Sequence, residues 1–282
     1  MNYLMSEILR VEALNKNFTK KGIFQSKSHT VTAAKDVSFS LMQDEILAIA
    51  GQSGSGKSTI AKLILRAIEP DSGKIFFDGV LVNKNSLGLK KLRMQCQMVY
   101  QDPYDAINPR MKISDIISEP LEIHNVGNKE SRAQMVLDAL EEVKLEPVHD
   151  IAKKYPHMLS GGQRQRVVIA RALVVKPKGI IADEPVSMLD VSIRAEILEL
   201  LADIQKQNKI AIIYITHDLA TAKHFADRII ILYQGKIVEA GDINSVLTNP
   251  GHPYTQALIN AISEPDPENL YRTKKIMWQS DK

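Results

Sequence analysis

An α/β fold on a mostly parallel sheet, with an antiparallel β subdomain near the N-terminus and a helical insertion in the middle, is predicted by three observations on this chain of 282 residues. Short β-branched runs alternate with amphipathic stretches. Those runs are unbroken in apolar character rather than alternating, as in strands covered on both faces. The segment from about 105 to 160 has no comparable run and carries helical periodicity instead.

Taken in order, "LRVEALNKNF" and "DVSFSLM" read as antiparallel strands around a polar loop at 20–30. "EILAIAG" reads as a strand feeding a helix over 57–68, and "SRAQMVLDALEEVKL" as a helix of the insertion. The alternation resumes with "GIIADEP" and a helix over 190–207, then "KIAIIYIT" and a helix over 218–226. "RIIILYQGKIVEAG", followed by a helix over 242–248, closes the series. The expected division is a core with its β subdomain over 1–104 and 161–250, a helical subdomain over 105–160, and a C-terminal extension over 251–282. No repeat or low-complexity tract interrupts it.

Composition narrows the function classes. At 44% hydrophobic and 24% charged the chain has the balance of a soluble globular protein. Lys plus Arg exceed Asp plus Glu by 36 − 33 = 3, too slight and too scattered an excess to argue for nucleic acid. One cysteine, Cys96, excludes an intramolecular disulfide and any cysteine-built metal cluster, and it reads as a buried thiol in a reducing compartment. The longest apolar runs fall far short of the ~18 residues of a membrane-spanning helix. "MNYLMSEILR" places acidic Glu7 where a signal peptide needs an apolar core, so the expected location is the cytoplasm. Met94, Met98, Met111, Met135, Met158 and Met188 read as core filler, and "KKLRMQCQ" as a solvated face.

Chemistry concentrates in "GQSGSGKST", residues 51–59. Gly51, Gly56, Lys57 and Ser58 match G-x-x-x-x-G-K-[ST], with Gln52, Ser53, Gly54, Ser55 and Thr59 completing the loop. In this pattern glycines let backbone N–H groups converge on an anion, and a helix N-terminus adds a favourable partial charge. Such a loop is shaped for a nucleotide's phosphates. Lys57 would reach the β- and γ-phosphates, and the Ser58 hydroxyl would ligate Mg²⁺. A plain Gly/Ser turn would not need the lysine, nor the position between strand and helix.

The second requirement is a strand that ends in carboxylates, which "GIIADEP" supplies. Asp183 could hold Mg²⁺ through water, and Glu184 is placed as the general base on an attacking water. Pro185, without a backbone donor, ends the strand. In "LSGGQRQRVVIARAL", Ser160 reads as the N-cap of a helix opened by Gly161, Gly162 and Gln163, a second helix N-terminus open to an anion. Only the first grip has a lysine, which suggests a nucleotide held between the loop of one chain and this segment of another.

"LSGGQRQR" resembles the signature of the ATP-binding-cassette ATPases, and the resemblance covers about residues 7–263. It implies that Gln101 in "MVYQDP" is the Q-loop glutamine, a metal ligand and water-orienting group, and that Asp190 in "SMLD" belongs to the D-loop. By the same resemblance His217 in "ITHDLA" is the switch histidine, and Phe18 in "NKNFTK" stacks on adenine, with Phe24 as the alternative. "QDPYDAINPRMKISDIISEPL" and "NPGHPYTQALINAISEPDP" are similar to the ATPase subunits of oligopeptide and dipeptide permeases, a group that also serves nickel and some oligosaccharide importers. Some of those relatives carry C-terminal cysteines for a cluster; residues 264–282 have none, so no iron–sulfur site is expected.

The resemblance implies an active ATPase that uses ATP and Mg²⁺ on the cytoplasmic face of the cell membrane. Its partners would be a second ATPase subunit, identical or homologous, two transmembrane permease subunits and, indirectly, an extracytoplasmic substrate-binding protein. A soluble cassette protein of translation or DNA repair would need two cassettes or a coiled-coil insertion. A P-loop kinase would not need the signature.

Overall fold

The computed structural model describes residues 6–20, 29–84 and 86–261. Phe24, most of the polar loop at 20–30 and the tail from 264 lie outside the described residues. The chain begins with two long strands, β1 (Glu7–Lys20) and β2 (His29–Met42), and continues into β3 (Ile46–Ala50) and α1 (Lys57–Ile64). Strands β4 (Ser72–Phe77) and β5 (Val80–Leu81) precede α2 (Leu87–Gln95) and β6 (Cys96–Val99). Helices α3 (Pro103–Ala106), α4 (Ile113–Ile123), α5 (Lys129–Glu142) and α6 (Val148–Lys153) follow, then α7 (Gly161–Leu173). The remainder runs β7 (Gly179–Asp183), α8 (Val191–Asn208), β8 (Ala211–Thr216), α9 (Leu219–Phe225), β9 (Arg228–Tyr233), β10 (Lys236–Asp242), α10 (Ile243–Thr248) and α11 (Pro253–Ala261).

Among the described residues the chain separates into two compact units. One holds 6–9, 41–45 and 76–213; the other holds 10–20, 29–40, 46–75 and 214–261. The division falls inside β8, so each unit is built on its own run of strands.

In the first unit the order is β8-β7-β6, with β6 and β7 parallel in the register Cys96↔Gly179 to Val99↔Ala182. All five residues of β7 are buried, which is why "GIIAD" is apolar without alternation up to Asp183. Cys96 is buried here as predicted, and burial pushes its thiol up to about 12. The expected absence of strands between 105 and 160 is met by α3 to α6. Helix α4 buries Ile113, Ile116, Ile117, Pro120 and Leu121, the i, i+3, i+4, i+7, i+8 stripe of an amphipathic helix. Asn128 caps α5 and exchanges side-chain and backbone bonds with Ser131, a capping box.

In the second unit the order is β10-β9-β3-β8, with β3 and β9 parallel from Leu47↔Arg228 to Ala50↔Ile231. The stretch "RIIILYQGKIVEAG" is not one strand but an antiparallel hairpin. Gln234 and Gly235 form its two-residue turn, with φ of 46° and 77°, the positive values that a type I′ turn requires. An antiparallel edge therefore completes an otherwise parallel arrangement.

The methionines depart from expectation. None of Met94, Met98, Met111, Met135, Met158 and Met188 is buried. Met158 and Met188 are 55% and 60% exposed. Both flank the segments that carry Ser160 and Asp190, so they cover a surface rather than fill a core.

Candidate nucleotide-binding site

The phosphate loop lies in the second unit and is shaped by backbone geometry. Strand β3 delivers the chain to Gly51, whose added Cβ would stand 2.2 Å from the Leu232 carbonyl oxygen. Gly56 has φ 109°, and a Cβ there would meet the Ala33 carbonyl oxygen at 2.2 Å. No L side chain fits either position, so these two glycines are dictated by close approach of backbone. The carbonyl of Ser55 accepts from Gly235 N–H at 2.9 Å, which ties the loop to the hairpin turn.

Helix α1 starts at Lys57 with no side-chain cap and no acidic residue in its first turn. The dipole of this helix favours a negative group at its N-terminus. Lys57 is buried to 5% exposure, and its Nζ donates to the carbonyls of Gly51 (2.7 Å) and Gln52 (3.0 Å). Ser55 Oγ is buried without a hydrogen-bond partner, while Ser53, Gly54 and Ser58 are exposed and Thr59 is half-buried. An uncapped helix start, a buried ammonium on loop carbonyls and left-handed glycines together fit a polyphosphate. His217 is exposed in the same unit, between Thr216 at the end of β8 and Asp218, the N-cap of α9. Phe18, 39% exposed on β1, has Lys16 Nζ 5.6 Å from its ring centre.

The carboxylates lie in the first unit. Asp183, 6% exposed, is the last residue of β7. Glu184 follows with φ 46°, a left-handed conformation that turns the chain sharply, and its carbonyl accepts from Ser187 N–H and Oγ–H, each at 3.1 Å. Gln101 Nε2 donates to Glu184 Oε2 at 3.2 Å. Thus two residues separated by 83 positions meet, a contact that the sequence reading did not foresee, and the amide orients the carboxylate. Among the described residues no cluster of three His, Cys, Asp or Glu could hold a metal by itself.

Helix α7 has the predicted N-cap and more. Ser160 Oγ accepts from Gln163 N–H at 3.3 Å, and Gln163 Oε1 accepts from Ser160 N–H at 3.1 Å. This capping box occupies two of the donors expected to face an anion and leaves those of Gly161 and Gly162. A Cβ on Gly162 would come within 2.8 Å of Ile193 Cγ2, and one on Gly161 within 3.6 Å of Leu189 Cδ2. The glycines therefore let α7 start against the turn that carries Asp190. That turn is held by Arg194, which sequence reading missed: its Nε donates to Leu189 O at 2.7 Å and its Nη2 to Ser187 O at 3.3 Å. Asp190 opens α8 without using its side chain as a cap, and that side chain is exposed.

Residues 34–187, more than half the chain, match the ABC transporter family model, and residues 238–280 match the oligopeptide/dipeptide transporter C-terminal region. The chain is 44% identical over 264 residues to a probable peptide ABC transporter ATP-binding protein of Sinorhizobium fredii, covering 92% of this chain and 74% of that one. It is 41% identical over 275 residues to a putative peptide import ATP-binding protein of Brucella ovis, covering 97% and 84%. Among solved structures it resembles the dimeric post-hydrolysis state of the ATP-binding cassette MJ0796 bound to ADP and Pi, with TM-score 0.72, 30% identity, and 84% of this chain and 99% of that one covered. Phosphate loop, capped signature helix and family match agree, and the chain belongs to the ABC transporter family as one of its ATP-binding cassette ATPases.

Proposed function

We propose that this chain is the ATP-hydrolysing subunit of an importer that draws peptides through separate membrane permease subunits. The observation that carries this reading is the pairing, in one chain, of the ABC transporter match with the oligopeptide/dipeptide transporter C-terminal match. The printed names of the Sinorhizobium and Brucella relatives, which speak of peptide transport and import, support it. Nickel and oligosaccharides are the alternative cargoes.

In this reading Lys57 and the N–H groups of residues 51–59 orient the β- and γ-phosphates, and Gly161, Gly162 and Ser160 of a second cassette grip the γ-phosphate from the other side. Bound Mg²⁺, with Ser58, Gln101 and Asp183 as its ligands, would neutralise phosphate charge and polarise the transferred phosphoryl group. Glu184 takes a proton from the water whose oxygen bonds to phosphorus as the bond to the ADP oxygen breaks. Gln101 orients that water, His217 donates to the γ-phosphate, and Asp190 lies at the junction of the two cassettes. Exposed Met158, Met188 and Val191 beside Ser160 and Asp190 support an apolar interface with that second cassette, identical or homologous.

Permease docking near Gln101 is supported by exposed Tyr100, Tyr104 and Ile123, and by a groove of about 160 Å³ that Tyr100, Ile123 and Arg171 help to line. The helical subdomain over 105–160 would move with the nucleotide state, the core over 1–104 and 161–250 would hold the nucleotide, and the extension over 251–282 would complete the chain. The proposed place is peripheral, on the cytoplasmic face of the membrane, with the extracytoplasmic binding protein reached only through the permease and no nucleic acid involved; no helix among the described residues is long and apolar enough to cross a membrane.

Co-expression with transmembrane subunits of a peptide permease tests the proposal. The chain is expected in the membrane fraction, with ATPase activity in proteoliposomes raised several-fold by peptide-loaded binding protein. Stimulation by a nickel- or oligosaccharide-loaded protein, with none by peptide, would overturn the cargo. Absence of membrane recruitment would overturn the importer.

The adenine assignment has its own test. Phe18→Ala is expected to raise the KM for ATP about 5- to 30-fold, the ~1–2 kcal/mol of lost stacking, with kcat little changed, because stacking on the base is uniform binding. An unchanged KM, together with a raised one in Phe24→Ala, would move the contact to Phe24.

A further inference from the structure

The phosphate loop has a tether that none of its motifs contains. Gln52 N–H donates to the phenolic oxygen of Tyr254, in the first turn of α11, at 3.1 Å across 202 positions of sequence. The carbonyl of that same peptide unit, Gly51 C=O, accepts from Lys57 Nζ at 2.7 Å, and the next carbonyl, that of Gln52, accepts from Lys57 Nζ at 3.0 Å and from Ser55 N–H at 3.1 Å. One hydroxyl thus fixes the unit on which the loop's lysine rests.

Tyr254 is itself held hard. It is fully buried, and its ring packs on Tyr233 with centroids 4.3 Å apart. Its N–H donates to His252 Nδ1 at 3.1 Å. The turn before it is clamped to β10, since the Glu239 carboxylate accepts from Gly251 N–H at 2.7 Å and His252 N–H at 3.1 Å. Tyr233 ends β9 and adjoins Gly235, whose N–H donates to Ser55 O at 2.9 Å. The loop is therefore gripped at Gln52 and Ser55 by one packed assembly of β9, β10 and the "GHPYT" elbow. Burial holds the phenol above its ordinary range, so it is a neutral hydroxyl at working pH.

We propose that Tyr254 is a positioning residue for the phosphate loop: its hydroxyl fixes the Gln52 peptide, and the C-terminal helix thereby sets the loop's affinity for nucleotide phosphates. The tether lies wholly within the chain and holds in place a glycine-rich segment that would otherwise sample many conformations, so its contribution is preorganisation. The proposal rests on the reading of residues 51–59 as the nucleotide grip.

Tyr254→Phe keeps the ring on Tyr233 and removes the hydroxyl that accepts from Gln52 N–H. Titration calorimetry with ADP is expected to show about 3- to 10-fold weaker binding, the loss of one hydrogen bond to a buried donor. The KM for ATP should rise by the same factor, with kcat within about twofold and the melting temperature of the nucleotide-free protein little changed. A merely structural tyrosine would lower the melting temperature and leave the ADP Kd unmoved; that result overturns the proposal. Lys57→Ala run in parallel separates the two ideas, because parent-like ADP binding by it would sink the nucleotide grip itself. Hydrogen exchange on the parent protein is an independent measurement. Without nucleotide, the Gln52 amide should exchange at least tenfold more slowly than that of exposed Gly54. Equal rates would also overturn the tether.

Discussion

Glu184→Gln is expected to bind ATP as the parent does and to hydrolyse it ~10²-fold or more slowly, accumulating as an ATP-bound dimer. The geometry makes the substitution a clean one. Gln101 Nε2 donates to Glu184 Oε2 at 3.2 Å, and a glutamine at 184 retains an oxygen that can accept that bond. The left-handed backbone at Glu184, φ 46°, makes no demand that a glutamine meets worse than a glutamate. What is lost is the proton acceptor. Steady-state phosphate release, nucleotide binding and size-exclusion chromatography check the three parts. Turnover within a few-fold of the parent would remove Glu184 from the role of base and leave Gln101 as its orienter without a purpose.

The parts of the site legible in the sequence are those where chemistry leaves one residue type. Gly51 and Gly56 are read directly because backbone carbonyls of Leu232 and Ala33 stand where a Cβ would go. Lys57 is read from the spacing of the phosphate-loop pattern, and Ser160 because a serine just before a helix is an N-cap; the burial of the lysine and the full capping box appear only in the structure. The methionines were misread for the opposite reason. Hydrophobicity says that Met158 and Met188 avoid water, not whether their own core or another chain covers them. The cue was position: each lies two residues from a predicted contact, Ser160 or Asp190.

The hairpin of β9 and β10 carried a local signal, Gln234–Gly235 between two apolar runs, that the length of the apolar stretch concealed. Tyr254 lies in the stretch that resembles the peptide-permease ATPases, but nothing in the sequence pointed to its contact with the phosphate loop. Its partner is 202 residues away, and only the packing of α11 on Tyr233 brings them together. Arg194 is a similar case at short range, since its two bonds to Ser187 and Leu189 carbonyls depend on a turn whose path the sequence leaves open.

The central claim is that a working site joins the phosphate loop of one cassette to the Ser160 helix of another. It rests on two helix N-termini suited to an anion and one lysine per chain, together with exposed Met158, Met188 and Val191 around the second helix. In a two-fold dimer such contacts are reciprocal. Lys57→Ala spoils every phosphate loop, and Ser160→Arg spoils every signature by filling the γ-phosphate position with a long cation; each alone should fall to background. The measurement that bears most directly on the claim is ATPase activity of mixed dimers of the two variants, with dimer formation verified by differential tagging; where the natural partner is a non-identical cassette, the two substitutions are divided between the subunits. A mixed dimer keeps one intact site, composed of the loop of the Ser160→Arg chain and the signature of the Lys57→Ala chain, and activity should return to a measurable fraction of the parent. Full activity in Ser160→Arg alone, or none in verified mixed dimers, would contradict the shared site.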